Sequence, residues 1–250
     1  MGLAGWPHAV VAAVSVAARR LQPLLQSRRP DWLPDDAAIS SRLAARDPWL
    51  RYRKPSYQLR MIKDLAQLLP SGECRIIDIG AGNGLVGETI ATLFPGKSVT
   101  GVDIAGNALP DLRIPYLRFD GLRLPFADRS FDCAMLCNML HHVKPGTRAG
   151  LLREALRVTG GGPLLIKDHV AGAPLDRLRL WLLDVLGNAP RGFMIEATYL
   201  DHRQWEALLA ELDCAGAILP LSQYRSGAWA WCFPNRLEIC FRITQSNFHT

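Results

Sequence analysis

Lysine is scarce in this chain, and its cysteines follow no ordered pattern. Lys54, Lys63, Lys97, Lys144 and Lys167 are the only lysines, so arginine carries most of the positive charge. The net charge of +6 permits an acidic partner without demanding one. Cys74, Cys133, Cys137, Cys214, Cys232 and Cys240 include no Cys-x-x-Cys pair and no regular spacing. That removes the usual signals for a zinc ribbon or a disulfide framework. Most lie in apolar stretches, as expected of reduced, buried thiols in a cytoplasmic protein. Repeats and low-complexity tracts are absent. No apolar run reaches the ~20 residues of a spanning helix. With 49% hydrophobic and 21% charged residues over 250 positions, the composition fits one α/β domain with a substantial core.

The first 18 residues carry no charged side chain apart from His8, and Arg19-Arg20 follow them. A secretory signal would place positive charge before the apolar segment rather than after it. A helix from about Ala9 to Leu25 is expected, either packed on the domain as a lid or lying on a membrane surface. In the second case Arg19, Arg20, Arg28 and Arg29 of segment 1–29 would meet anionic lipid. Pro30, Pro34, Pro48 and Pro55 predict a loop-rich stretch over 26–56. Within it, Trp49 to Lys54 interleaves aromatic and basic side chains, either for an anionic partner or as a solvated face. Helical spacing resumes from Tyr57 to Leu69. We therefore divide the chain into an N-terminal helical cap, 1–70, and a main domain, 71–250.

The densest chemical signal is Asp78-Ile79-Gly80-Ala81-Gly82-Asn83-Gly84, directly after Ile76-Ile77. A strand ending in a carboxylate, then a glycine-rich turn into a helix, lets a nucleoside-bearing ligand approach bare backbone. Gly82 to Gly87 also fits G-x-G-x-x-G, with Asp103 about 20 residues on, as a dinucleotide site would have. The register argues against that reading, because Gly80 already precedes Gly82. Asp78 would also repel a pyrophosphate while attracting a cationic ligand end, such as the methionine end of S-adenosylmethionine.

From these residues the chain resembles the class I S-adenosylmethionine-dependent methyltransferases. The likeness runs in order through Val99 to Asp103, Phe119-Asp120-Gly121, Leu124-Pro125-Phe126, Ser130-Phe131-Asp132, Asn138 to Val143, Arg153 to Val158 and Gly160 to Ile166. These segments are similar to the ubiquinone/menaquinone-biosynthesis-like branch (methyltransferase type 11). The resemblance implies a Rossmann-like α/β sheet, mostly parallel with an antiparallel closing strand. It implies S-adenosylmethionine held by Asp78, Gly80, Ala81, Gly82, Asn83, Gly84, Asp103, Ile104, Asp120, Gly121, Cys137 and Asn138. Alternating patterns place strands near 74–79, 98–103, 114–119, 131–137 and 162–168, with two more in 217–245. Helices are expected near 84–94, 147–158, 174–186 and 201–212.

Such a sheet gathers its strand ends around one cleft. Asp168 and His169 after the fifth strand, and His141 and His142 after the fourth, are the candidate catalytic groups, with His169 preferred as general base. Asp201 is expected to cap a helix. Spacing shows no metal ligand set. Methylation of adenine amino groups in nucleic acid goes with Asn/Asp-Pro-Pro-aromatic, where this chain has Cys137-Asn138-Met139-Leu140. Cys137 also lacks the Pro-Cys context of pyrimidine carbon methylation. These absences leave a small-molecule acceptor and set nucleic acid aside. Leu175, Leu178, Leu180, Trp181, Leu182 and Leu183, with Phe193-Met194-Ile195, form an apolar insertion over 170–200. It serves either ordinary packing, an apolar or aromatic acceptor, or a dimer contact. An RNA or protein methyltransferase docking through Arg51 to Arg60, and a non-catalytic partner subunit, are the alternatives.

Overall fold

The computed structural model describes residues 21–23, 32–47, 50, 56–192, 194–219 and 222–245. Eight strands form one sheet: β1 (Leu21–Pro23), β2 (Cys74–Ile79), β3 (Lys97–Asp103), β4 (Tyr116–Arg118), β5 (Cys133–Cys137), β6 (Leu164–His169), β7 (Cys214–Ile218) and β8 (Glu238–Gln245). Their order is β1-β7-β8-β6-β5-β2-β3-β4. Only β8 runs against its neighbours β6 and β7. This is the Rossmann-like sheet with an antiparallel closing strand that the motifs imply.

The helices are α1 (Asp36–Arg46), α2 (Ser56–Leu68), α3 (Leu85–Leu93), α4 (Arg148–Thr159), α5 (Pro174–Asn188), α6 (His202–Glu211) and α7 (Gly227–Cys232). Alternate strand residues feed two cores. Ile77, Ile79, Leu136, Ile166 and Phe241 pack with Leu152 and Leu156 of α4 and Trp205 of α6. Ile76, Val99, Met135 and Leu165 pack on the other face with α1, α2 and α3, through Ile39, Leu43, Ile62, Leu65 and Ile90. β6 is buried along its whole length, which explains its unbroken apolar start.

Three expectations change. Residues 21–23 pair with β7 as a strand, not as the end of a helix; the rest of segment 1–29 lies outside the described residues. The 26–56 stretch contains α1, whose first turn is capped by Asp35 accepting from the Ala38 N–H at 2.7 Å. Both α1 and α2 pack against the sheet in the same core cluster. Trp229 and Trp231 sit on the short helix α7, not on a strand, because the β7–β8 connection turns through one helical turn first. Asp201 caps α6 in a reciprocal capping box with Gln204.

Candidate active site

The glycine turn follows β2 and runs into α3, at the carboxyl edge of the sheet. At Gly80 (φ +72°) an added Cβ would lie 2.8 Å from Met139, so the chain can pass there only as glycine. At Gly82 (φ +57°) a Cβ would meet nothing within 4 Å, so that side of the turn is open to a ligand. The turn is braced from below. The Gly82 N–H donates to Asp103 Oδ2 at 2.8 Å, and the Tyr116 hydroxyl donates to the Gly82 carbonyl at 2.7 Å. Asp103 Oδ1 also accepts from the Ala105 N–H.

Asp78 lies just inside this turn and is 2% exposed. Burial, and then the charge of Asp103, push its carboxyl up to about 7, and no hydrogen bond from the described residues offsets them. A buried acid poised to ionise suits a cationic ligand group. Beyond β3, Ile104 is exposed, and a Cβ on Gly121 would touch its Cγ2 at 3.1 Å. Asp120 accepts from the Leu122 and Arg123 N–H groups, which hold its carboxyl below its usual range. Ile104, just beyond β3, and the Asp120-Gly121 turn thus adjoin. The chain's residues therefore fit S-adenosylmethionine: open backbone at Gly82, a poised carboxylate at Asp78 and acceptors at Asp103.

Next along the edge, Asn138 takes a left-handed φ of 50°. Its Oδ1 accepts from Lys167 Nζ at 3.1 Å and from the Tyr57 hydroxyl at 3.2 Å. Lys167 is fully buried and pairs with Glu238 Oε2 at 2.6 Å, and Arg225 pairs with the other carboxylate oxygen. Burial disfavours both charges, but the pair overrides it: Glu238 raises the Lys167 pKa, and Lys167 leads in lowering that of Glu238. Asn138 is thus fixed by a buried network that the motifs do not announce. Cys137 is no nucleophile, since burial first, and Asp78 second, raise its thiol well above the usual value.

The histidines separate into different roles. His141 is 2% exposed and bound through Nδ1 to Asp168. Burial opposes its protonation, yet Asp168 and then Asp184 raise its pKa. Asp168 falls to about 2; burial opposes this, and His141 leads the groups that lower it. His169, the base preferred from sequence, is 5% exposed, with Nδ1 3.1 Å from Glu238 Oε2. His142 is half-buried instead. Its Nδ1 donates to the Glu196 carbonyl at 2.7 Å, which makes Nε2 the proton-accepting nitrogen, with the Asn188 amide donating to it at a long 3.5 Å. Burial, then His141, lower its pKa, so the neutral form persists at neutral pH. Asp184, unremarked in the sequence, brings a carboxylate to the His141 side of the cleft. Trp49 and Arg51 to Lys54, like Phe193, lie outside the described residues. A hollow of about 600 Å³ near Cys74, Phe94 and Lys97 sits at the opposite edge and is lined by none of the candidate cofactor or catalytic residues.

Residues 77–166 match the family model described as a methyltransferase domain. Over 125 residues the chain is 34% identical to 27-O-demethylrifamycin SV methyltransferase of Amycolatopsis mediterranei, covering 44% of each protein. It is 36% identical over 123 residues to demethylmenaquinone methyltransferase of Thermobifida fusca, covering 44% of this chain and 50% of that one. The chain spans about half the length of these curated relatives. A SAM-dependent methyltransferase from Thermotoga maritima shares the fold, with a TM-score of 0.57 at 18% identity, over 84% of this chain and 99% of that one.

Proposed function

We propose that this chain, whose residues 77–166 carry a class I methyltransferase domain, transfers a methyl group from S-adenosylmethionine to a hydrophobic or aromatic small molecule. The observation that carries the reading is one edge of the sheet: open backbone at Gly82, buried Asp78 and the Asp103 carboxylate, in the order the family requires. The named relatives act on a rifamycin and a menaquinone precursor, which supports an apolar acceptor from secondary or quinone metabolism. When bound, S-adenosylmethionine supplies a methyl group on a cationic sulfur, which needs no acid to activate it. The chain's part is to hold and align, which can itself contribute most of the acceleration. Asp78 faces the cationic end, and Asp103 accepts from ribose hydroxyls. Asn138, locked by Lys167 and Tyr57, shapes the floor of the cleft.

A hydroxyl acceptor loses a proton as it is methylated, and His142 Nε2 is the group suited to take it. His142 has both access and a fixed tautomer, so it replaces His169 as our choice of base. The experiment is transfer of labelled methyl from S-adenosylmethionine to apolar extracts and candidate phenols or quinols. His142→Ala should lower turnover by about 10²–10⁴-fold at saturating cofactor. In the native enzyme, the rate should fall on acidification only below the ordinary histidine pKa, because burial lowers that of His142. No incorporation with any acceptor, and no S-adenosylhomocysteine binding, would sink the proposal.

A further inference from the structure

We propose that His141, His169 and Asp184 form a site for one divalent transition-metal ion of the zinc class. They come from three separate elements: the 3-10 turn after β5, the end of β6, and α5. One ligand atom from each lies within 4.8 Å of the others, and all three residues are buried. His141 Nε2 stands 3.5 Å from Asp184 Oδ2. Metal–ligand bonds of about 2.0–2.1 Å at tetrahedral angles put neighbouring ligands roughly 3.3 Å apart, close to that spacing.

Two features single this cluster out from a chance gathering. His141 Nε2 is a buried nitrogen with no hydrogen-bond partner among the described residues, and it lies beside the Asp184 carboxylate. Native proteins rarely leave such an atom unsatisfied. The other ring nitrogen, Nδ1, is bound to Asp168, whose second oxygen accepts from the Leu140 N–H at 3.0 Å. That carboxylate fixes the ring and directs its free lone pair outward, as in carboxylate–histidine–metal arrangements. The Tyr199 hydroxyl donates to Asp184 Oδ2, the oxygen that faces His141, and so holds that carboxylate in place. The His169 ring is buried as well, with Nδ1 3.1 Å from Glu238 Oε2. Two imidazoles and a carboxylate, with His141 held by Asp168 and Asp184 by Tyr199, suit a borderline cation rather than calcium or magnesium. Three protein ligands leave a fourth position open, as catalytic rather than structural zinc-type sites do.

The site does not depend on the methyl-transfer proposal, and one set of samples separates the two. Untagged full-length protein is stripped with chelator, then titrated with Co²⁺ as a spectroscopic probe and Zn²⁺ by calorimetry. S-adenosylhomocysteine binding is measured alongside. One ion per chain, with the visible absorption of Co²⁺ in a low-symmetry nitrogen–oxygen site, is expected. Asp184→Asn and His169→Gln should each weaken binding by about tenfold or more, and Tyr199→Phe, which only loosens Asp184, by about tenfold. Substitution of an exposed histidine, His202→Gln, should change nothing. Absence of stoichiometric binding to the native protein would overturn the proposal, leaving His141 as an imidazolium held between Asp168 and Asp184. Binding that Asp184→Asn and His169→Gln both leave intact would overturn it too. Loss of S-adenosylhomocysteine binding alone would count against the methyltransferase reading and not against the metal.

Discussion

Asp78 makes cofactor affinity a function of pH, and the size of the effect follows from its surroundings. In the free protein, burial and Asp103 hold its carboxyl at about 7 instead of 3.8. A cationic group bound beside it favours the ionised form, so binding must expel the proton wherever Asp78 still carries one. Apparent affinity for S-adenosylhomocysteine should therefore climb by close to tenfold per pH unit below 7 and level off above it. Between about pH 5 and the plateau the gain approaches 100-fold, or about 2.7 kcal/mol at 1.36 kcal/mol per unit.

The same shift has a sign for stability. A carboxyl whose folded pKa is raised supports folding most fully below its unfolded pKa. That support drains away as the pH rises from 3.8 through about 7. Above this window the ligand-free protein carries a penalty of up to about 4 kcal/mol, and Asp78→Asn removes it. The variant should thus be more stable than the native chain at about pH 8 while binding S-adenosylhomocysteine more weakly and without pH dependence. Calorimetry in two buffers of different ionisation heat reads the released proton directly, and thermal melts read the stability. Affinity that stays flat from about pH 5.5 to 8 in the native protein, or an Asp78→Asn chain less stable at the upper end, would refute the reasoning.

Two further outcomes test the scaffold. Lys167→Met should destabilise the chain in urea melts by less than the ~3–5 kcal/mol of a fully stranded charge, because Arg225 still pairs with Glu238; adding Glu238→Leu should deepen the loss by leaving Arg225 buried and unpaired. Trp205→Ala should cost about 3–5 kcal/mol, since the ring is fully buried against Phe241 at 5.1 Å, and Trp205→Phe should cost less.

Much of the sheet was legible because its strands obey local rules. β2, β3, β5 and β6 are short, largely apolar runs flanked on at least one side by glycine or acid, and the structure places them within two residues of the expected bounds. The glycine turn was legible for the same reason, since a left-handed backbone leaves its mark on residue type. What escaped was set by distant partners. α1 hides because only Ile39 and Leu43 of its residues enter the core while prolines flank it. Lys167 interrupts an otherwise apolar strand start. Its role is fixed by the antiparallel register that sets His169 opposite Glu238 and Lys167 opposite Cys240, on a strand far away in sequence.

α5 shows most clearly where pattern reading fails. Its leucines and tryptophan suggest a helix that buries them, yet Leu175, Leu178, Trp181 and Leu186 face outward, each about half exposed. The inward face carries Asp176 and Asp184 instead, beside Leu180. Each carboxylate is matched: Asp176 with Arg236 and Arg179, Asp184 with Tyr199 and His141. Burying an unpaired carboxylate costs far more than exposing a leucine, so these partners, and not the apolar count, decide which way the helix turns. The helix spends apolar surface to bring one acid to the histidines at the strand ends. A sequence reader can detect the choice only by asking why an otherwise apolar helix keeps two aspartates eight residues apart, close to two helical turns and so on one face.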